Sequence, residues 1–162
     1  EVINSLEGTV EVLSEKGLGT TVRLILPLTL SITLSLLMRV GKEIYALPLT
    51  LVEEIEIREL RELQRLREQN VLMLGGRLIP LIWGANLLRT PKYDFKTNRE
   101  VFILIIKQAG RSVGLIVDEV ITEREIVVKP LQGFMKEIPL FTGATILGDG
   151  NIVLILDVRN IA

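Results

Sequence analysis

The chain has 162 residues, 48 % of them hydrophobic, with a mean hydropathy of +0.42, enough for one domain with a sizeable core; at 4 % aromatic, that core is Leu, Ile and Val. A formal net charge of -1 gives no general pull toward nucleic acid or anionic lipid, and a basic, aromatic-studded nucleic-acid face is not expected. With no Cys and no His, these residues supply no disulfide, no thiolate metal site, no imidazole base and no phospho-accepting histidine.

The first residues, Glu1-Val2-Ile3-Asn4, are not the Met-initiated basic start of a signal peptide, so the chain reads as a piece of a longer protein. Gly8–Leu13 and Thr20–Leu26 bracket Ser14-Glu15-Lys16-Gly17-Leu18-Gly19, which predicts a hairpin with a glycine-rich tip. Such a tip could cradle a phosphate, but glycine serves any tight turn equally well. Leu24–Met38 carries no charge across fifteen residues, short of the ~20 needed to span a membrane. Its period of two, Leu28, Leu30, Ile32, Leu34 and Leu36 alternating with Thr and Ser, predicts a half-buried strand instead. Pro27 cannot donate to a ladder, and a domain break is expected near Pro27–Leu30.

Ser35–Val40 and Ile44–Leu49 flank the turn Gly41-Lys42, and Val52–Ile57 extends the sheet. Leu60, Leu63 and Leu66 recur every third residue among mixed charges, which predicts a short amphipathic helix within Arg58–Gln69. Val71–Leu74 and Arg77–Ile82 form a hairpin about Gly75-Gly76. With Leu72 and Leu74 inward, Met73 points out, and Trp83 stands just past the strand. Exposed large apolar groups mark contact surfaces, and Trp is favoured in interface hot spots. Ala85–Leu88 reads as a helical turn, and Arg89–Asn98 as a polar boundary.

Val101–Leu131 organises the rest. Val101–Lys107 and Ser112–Asp118 are buried strands about Gln108-Ala109-Gly110-Arg111, and Ile126–Val128 is a third short strand stopped by Pro130. Asp118, Glu119, Glu123 and Glu125 have no partner at catalytic spacing and read as solvated strand ends and turns. Gly133–Phe141 reads as a loop with exposed aromatics. Ala144–Leu147 and Asn151–Leu156 pair about Asp149-Gly150, and Asp157 caps a final short helix, Val158–Ala162.

Gly114-Leu115-Ile116-Val117-Asp118-Glu119-Val120, Glu125-Ile126-Val127-Val128-Lys129-Pro130-Leu131 and Gly143-Ala144-Thr145-Ile146-Leu147-Gly148-Asp149-Gly150 together resemble the signature of the CheW-like coupling-protein domain of bacterial chemotaxis. Lys16-Gly17-Leu18-Gly19-Thr20-Thr21-Val22, followed by Leu26-Pro27-Leu28-Thr29-Leu30, resembles the end of the ATP-binding domain of CheA-type histidine kinases. The resemblance implies an all-β fold of two SH3-like barrels, preceded by a β-hairpin fragment of an α/β ATPase domain. The implied organisation is an ATP-domain remnant over residues 1–29 and a CheW-like regulatory domain over residues 30–162. The first barrel would cover about 30–95 and the second about 96–162, interleaving allowed. The family has an extended excursion where the periodicity predicts the 58–69 helix, and Gln69-Asn70 stands at its expected turn.

The implied role is non-catalytic: to bind the coupling protein CheW and chemoreceptor tips and to couple receptor state to the kinase domain of the same chain. The implied location is cytoplasmic, at receptor arrays, without nucleic acid or membrane insertion. Gly17, Gly19 and Thr20 match the family's last ATP-contacting box, but the other boxes have no counterpart here, so ATP would belong to the intact parent kinase and no cofactor to this chain. Met73, Trp83, Leu78 and Tyr45 are the candidate partner-binding residues. Two other readings are a free CheW-type adaptor, against which the N-terminal hairpin argues, and a nucleotide-binding phosphotransferase fragment, against which the missing boxes argue.

Overall fold

The computed structural model describes residues 9–17, 19–25, 31–66, 69–91, 100–108, 110–133 and 137–160. The chain forms two compact units, residues 1–31 and 32–162.

The first unit is the hairpin β1 (Thr9–Glu15) and β2 (Gly19–Ile25), closed where Glu15 faces Gly19. Gly17 and Gly19 have φ of 88° and 114°, which suits the tight tip only to glycine. The register pairs Val10 with Leu24 and Val12 with Val22, so all four lie on one face, and all four are exposed. Glu11 and Arg23 pair on the other face at 3.0 Å.

The second unit holds β3 (Ser31–Val40), β4 (Glu43–Pro48), β5 (Val52–Glu59), β6 (Gln64–Leu66), β7 (Gln69–Leu74), β8 (Arg77–Trp83) and the one-turn helix α1 (Gly84–Leu87). After these come β9 (Glu100–Gln108), β10 (Arg111–Val117), β11 (Glu119–Val128), β12 (Phe141–Ile146) and β13 (Ile152–Leu156). They build a six-stranded sheet, β5-β9-β10-β8-β7-β6, and a five-stranded sheet, β11-β3-β4-β13-β12. The first two of these strands thus share a sheet with the last three, and the sheets interleave along the chain. The barrel boundary expected near residue 95 falls within residues 92–99, which lie outside the described residues, and β8 and β9 on either side of them belong to the same sheet. Two parallel pairs, β8 with β10 and β4 with β13, join strands far apart in sequence.

Three apolar clusters explain why the central strands read as unbroken hydrophobic runs. Leu36, Met38 and Leu47 of one sheet meet Leu104, Ile106 and Leu115 of the other. Alternate residues of the same strands turn the opposite way: Ile103, Ile105 and Ile116 join Leu72, Ile79 and Leu81, while Leu37, Ala46 and Ile155 join Ile126 and Val153. A strand packed on both faces loses its polar alternation. Each sheet therefore curls about its own core, as in small SH3-like barrels, and shares a third core with its neighbour. The curl needs Gly114. A Cβ there would stand 2.9 Å from Ile103 Cγ2 and closer still to Leu81 Cδ2.

Several expectations change. The described residues of the 58–69 segment form no α-helix. Leu60–Glu62 is a single 3-10 turn closed by Glu59 and Glu62, and β6 then pairs with β7. Leu60 and Leu63 pack on the six-stranded sheet's core, but Leu66 is exposed, so the three leucines never share a helical face. Gln69 and Asn70 pair with Leu66 and Arg65 inside the ladder, and Arg89 is the one non-glycine residue with positive φ among the described residues. Gln69 and Asn70 are therefore strand residues and do not form the turn expected there.

The short strand expected at Ile126–Val128 is the end of the ten-residue β11. β11 lies at a sheet edge, where residues 121–125 are exposed and polar side chains cost nothing, so its first half lacks an apolar signal. Phe141 opens β12 rather than closing an exposed loop, and its ring stacks on Tyr45 with centroids 6.3 Å apart. Asp118 is buried, not solvated. Its carboxylate accepts the Gly41 N–H at 2.6 Å, and its own N–H donates to the Arg39 carbonyl at 3.0 Å. Asp157 does cap the final turn, Val158–Asn160, accepting the Arg159 N–H at 3.0 Å.

Candidate protein-interaction face

Met73 sits opposite Leu78 in the β7–β8 ladder, one pair below the closing Gly75-Gly76 turn, whose φ values of 54° and 77° suit a tight primed hairpin. Both side chains are about half exposed, 51 % and 53 %. The next pair on that face is Val71 with Pro80.

On its other side β8 runs parallel to β10, with Leu115 beside Ile82. By alternation along each strand, Val113 and Arg111 share the face of Leu115, and Pro80 and Leu78 share the face of Ile82. Leu115 and Ile82 belong to the core between the sheets. The same face then runs outward through Val113 and Pro80 to Leu78 and Met73, where it becomes accessible. A surface cleft of about 890 Å³ follows this exit, with Leu78, Pro80 and Val113 apolar and Arg77, Arg111 and Arg159 basic.

The wall beside Val113 is the last turn of the described chain. Gln108 Nε2 donates to the Arg159 carbonyl at 3.1 Å and ties that turn to β9. Arg159 is held by Asp157 through a forked contact, Nε to Oδ1 at 2.9 Å and Nη2 to Oδ2 at 2.6 Å. That hydrogen bonding holds the Asp157 carboxyl below its usual value, against the opposing effect of burial, and raises the Arg159 guanidinium. Arg77 and Arg111, by contrast, have no side-chain hydrogen bond or ion pair among the described residues.

The four residues expected at a partner surface do not converge. Met73 and Leu78 are neighbours. Trp83 is on the opposite face of β8, where it packs with Ile79 and Leu81 on the six-stranded sheet's core. Tyr45 is buried at 7 % exposure under Phe141, and burial, helped by Glu43, pushes its hydroxyl pKa up. Gly17, Gly19 and Thr20 stand at the β1–β2 tip. Nothing lies within 4 Å of a Cβ built on either glycine, and Thr20 Oγ1 is hydrogen-bonded to Ser14 Oγ at 2.9 Å. Among the described residues no group of three or more His, Cys, Asp or Glu could hold a metal ion, and no helix is long and apolar enough to cross a membrane. The basic rim and Pro80 were not anticipated. The hairpin register implies Leu78, but only the packing of β10 along β8 brings Arg111 and Val113 into the cleft that Leu78 lines.

The CheW-like domain family matches residues 35–162, and the chain belongs to it. A scaffolding protein, TtCheW from Thermoanaerobacter tengcongensis, has the same fold, with a TM-score of 0.67, 19 % identity, and coverage of 80 % of this chain and 91 % of that one. More particularly, the chain is similar to the CheW-like region of CheA proteins. It is 38 % identical over 156 residues to chemotaxis protein CheA of Treponema pallidum (strain Nichols), and 36 % identical over 158 residues to that of Salmonella typhimurium (strain LT2). Each alignment covers 96 % of this chain but only 19 % and 23 % of those proteins, so the chain spans about a fifth of their length. It is thus a CheW-like scaffold domain of the kind carried by CheA-type chemotaxis proteins.

Proposed function

We propose that residues 30–162 are the regulatory scaffold of a chemotaxis histidine kinase, docking the coupling protein CheW and chemoreceptor tips and holding the kinase domain of the same chain under receptor control. The work is mechanical rather than catalytic and takes place in the cytoplasm at receptor arrays. The observation that carries this reading is the pair Met73 and Leu78, large apolar side chains set out on a hairpin that needs neither for its own core. Residues 1–29 are read as the end of the kinase's ATP-binding domain. With 96 % of the chain aligned to CheA proteins, most of the β1–β2 hairpin lies within the similarity, whereas the CheW-like match begins at residue 35. That favours a kinase segment over a free adaptor.

The test is calorimetric titration with purified coupling protein. The unaltered protein should form a saturable one-to-one complex, and Met73→Glu should weaken it at least about thirtyfold, as expected for a hot-spot residue. A thermal melt would show that the exposed substitution leaves the fold intact. Absence of a complex with the unaltered protein would overturn the reading, and binding untouched by Met73→Glu would remove this face from it. Titrating this chain alone with ATP should give no saturable heat, and saturable binding would overturn the remnant reading.

A further inference from the structure

We infer that the partner surface that covers Met73 and Leu78 is acidic, an apolar ridge flanked by carboxylates that enter the arginine-rimmed cleft. The inference rests on the docking role proposed above and adds the chemistry of the docked segment. Its starting point is the geometry of the cleft: Met73 pairs with Leu78; Leu78, Pro80 and Val113 are apolar residues of one cleft; and Arg111 lines that cleft with them. Arg77, at the hairpin's end of β8, and Arg159, on the far wall, border the same cleft.

These three guanidiniums are not equivalent. Arg159 is already neutralised by Asp157, at 2.6 Å, and its turn serves as a fixed wall. Arg77 and Arg111 have no counter-charge among the described residues, so the open part of the cleft carries two uncompensated positive charges over an apolar floor. Neither charge is balanced by an ion pair within the described residues. A docked carboxylate supplies the missing counter-charge, and the planar guanidinium can grip it through two parallel hydrogen bonds. The strip supplies contact area, and the rim sets register and encounter rate.

The experiment measures binding of the intact protein to purified CheW across a salt series, for the unaltered sequence, Arg77→Glu/Arg111→Glu and Arg77→Lys/Arg111→Lys. Neither arginine makes a side-chain bond that the fold needs, so thermal melts of both variants should match the parent. We expect affinity of the unaltered protein to fall as salt rises, the double Glu variant to bind about tenfold more weakly at low salt and lose that dependence, and the double Lys variant to keep most of both. A photo-crosslinking residue in place of Leu78 should capture a CheW segment with at least two Asp or Glu residues close to the cross-link. A complex unaffected by the double Glu change, or a captured segment without carboxylates, would overturn the inference while leaving the docking role standing. Absence of any complex with the unaltered protein would overturn both.

Discussion

Removing the Asp118 carboxylate should cost the second unit about 3 kcal/mol. The carboxylate is buried at 9 % exposure and accepts the N–H of the buried turn residue Gly41 at 2.6 Å. Asp118 is the single residue between β10 of one sheet and β11 of the other, and Gly41 joins β3, the neighbour of β11, to β4, so the bond fastens the crossover from one sheet to the other. Asp118→Ala leaves the Gly41 N–H buried without its acceptor. A hydrogen bond to a charged group contributes about 1.5–3 kcal/mol, and the orphaned donor puts the loss at the upper end. At about 3–5 °C per kcal/mol for a unit of this size, the melting midpoint should fall by roughly 10 °C. Asp118→Asn keeps an oxygen that can accept the same bond and should lose about half as much. Urea unfolding of the three proteins, followed by circular dichroism, decides it. A loss below about 0.5 kcal/mol for Asp118→Ala, or equal losses for Ala and Asn, would refute the fastening role and return Asp118 to an ordinary strand end.

Three other substitutions probe the same framework. Gly114→Ala sets a methyl group against Ile103 and Leu81, and should cost about 2 kcal/mol or more as the six-stranded sheet's core repacks; an unchanged melting temperature would refute the close approach. Ser35→Ala removes a fully buried hydroxyl without a hydrogen-bond partner, so it should be neutral or stabilise by up to about 1 kcal/mol, and a clear loss in urea unfolding would reveal a bond the side chain does make. Asp157→Asn probes pH dependence. Because Asp157 is held below its usual pKa by Arg159, its contribution is present above the unfolded carboxyl pKa of about 3.9 and is lost as pH falls through the lower folded value. The urea midpoint of the variant should therefore lag the parent at about pH 6 and approach it near pH 3, whereas a constant gap would contradict the ion pair's role.

Much of this fold was legible because local pattern and global role coincide. The 100–117 hairpin, the Gly41-Lys42 and Gly75-Gly76 turns and the Asp157 cap each follow from a few adjacent residues. The failures share a cause, which is that the deciding contact is remote. Arg58–Gln69 has leucines at a helical interval, yet Leu60 and Leu63 are claimed by a core lined by Ile103 and Ile105, about forty positions away in sequence. β11 was found only at its buried end, because edge position suspends the alternation on which strand recognition depends.

The candidate face divides along the same line. Met73 follows from alternation, and Leu78 follows from Met73 once a two-residue turn sets the register. Trp83 could have been assigned inward by extending the same alternation from Ile79 and Leu81; treating it as lying past the strand end hid that. Tyr45 could not have been assigned this way, since its strand is packed on both faces and alternation there does not distinguish core from surface. Arg111 is the most instructive residue. Beside the turn at residue 110 it reads as an ordinary solvated charge, and only the parallel pairing of β8 with β10 brings it to the cleft that Leu78 lines. A charge that is unremarkable on its own hairpin becomes, beside an exposed apolar strip and without a counter-charge among the described residues, a statement about the partner.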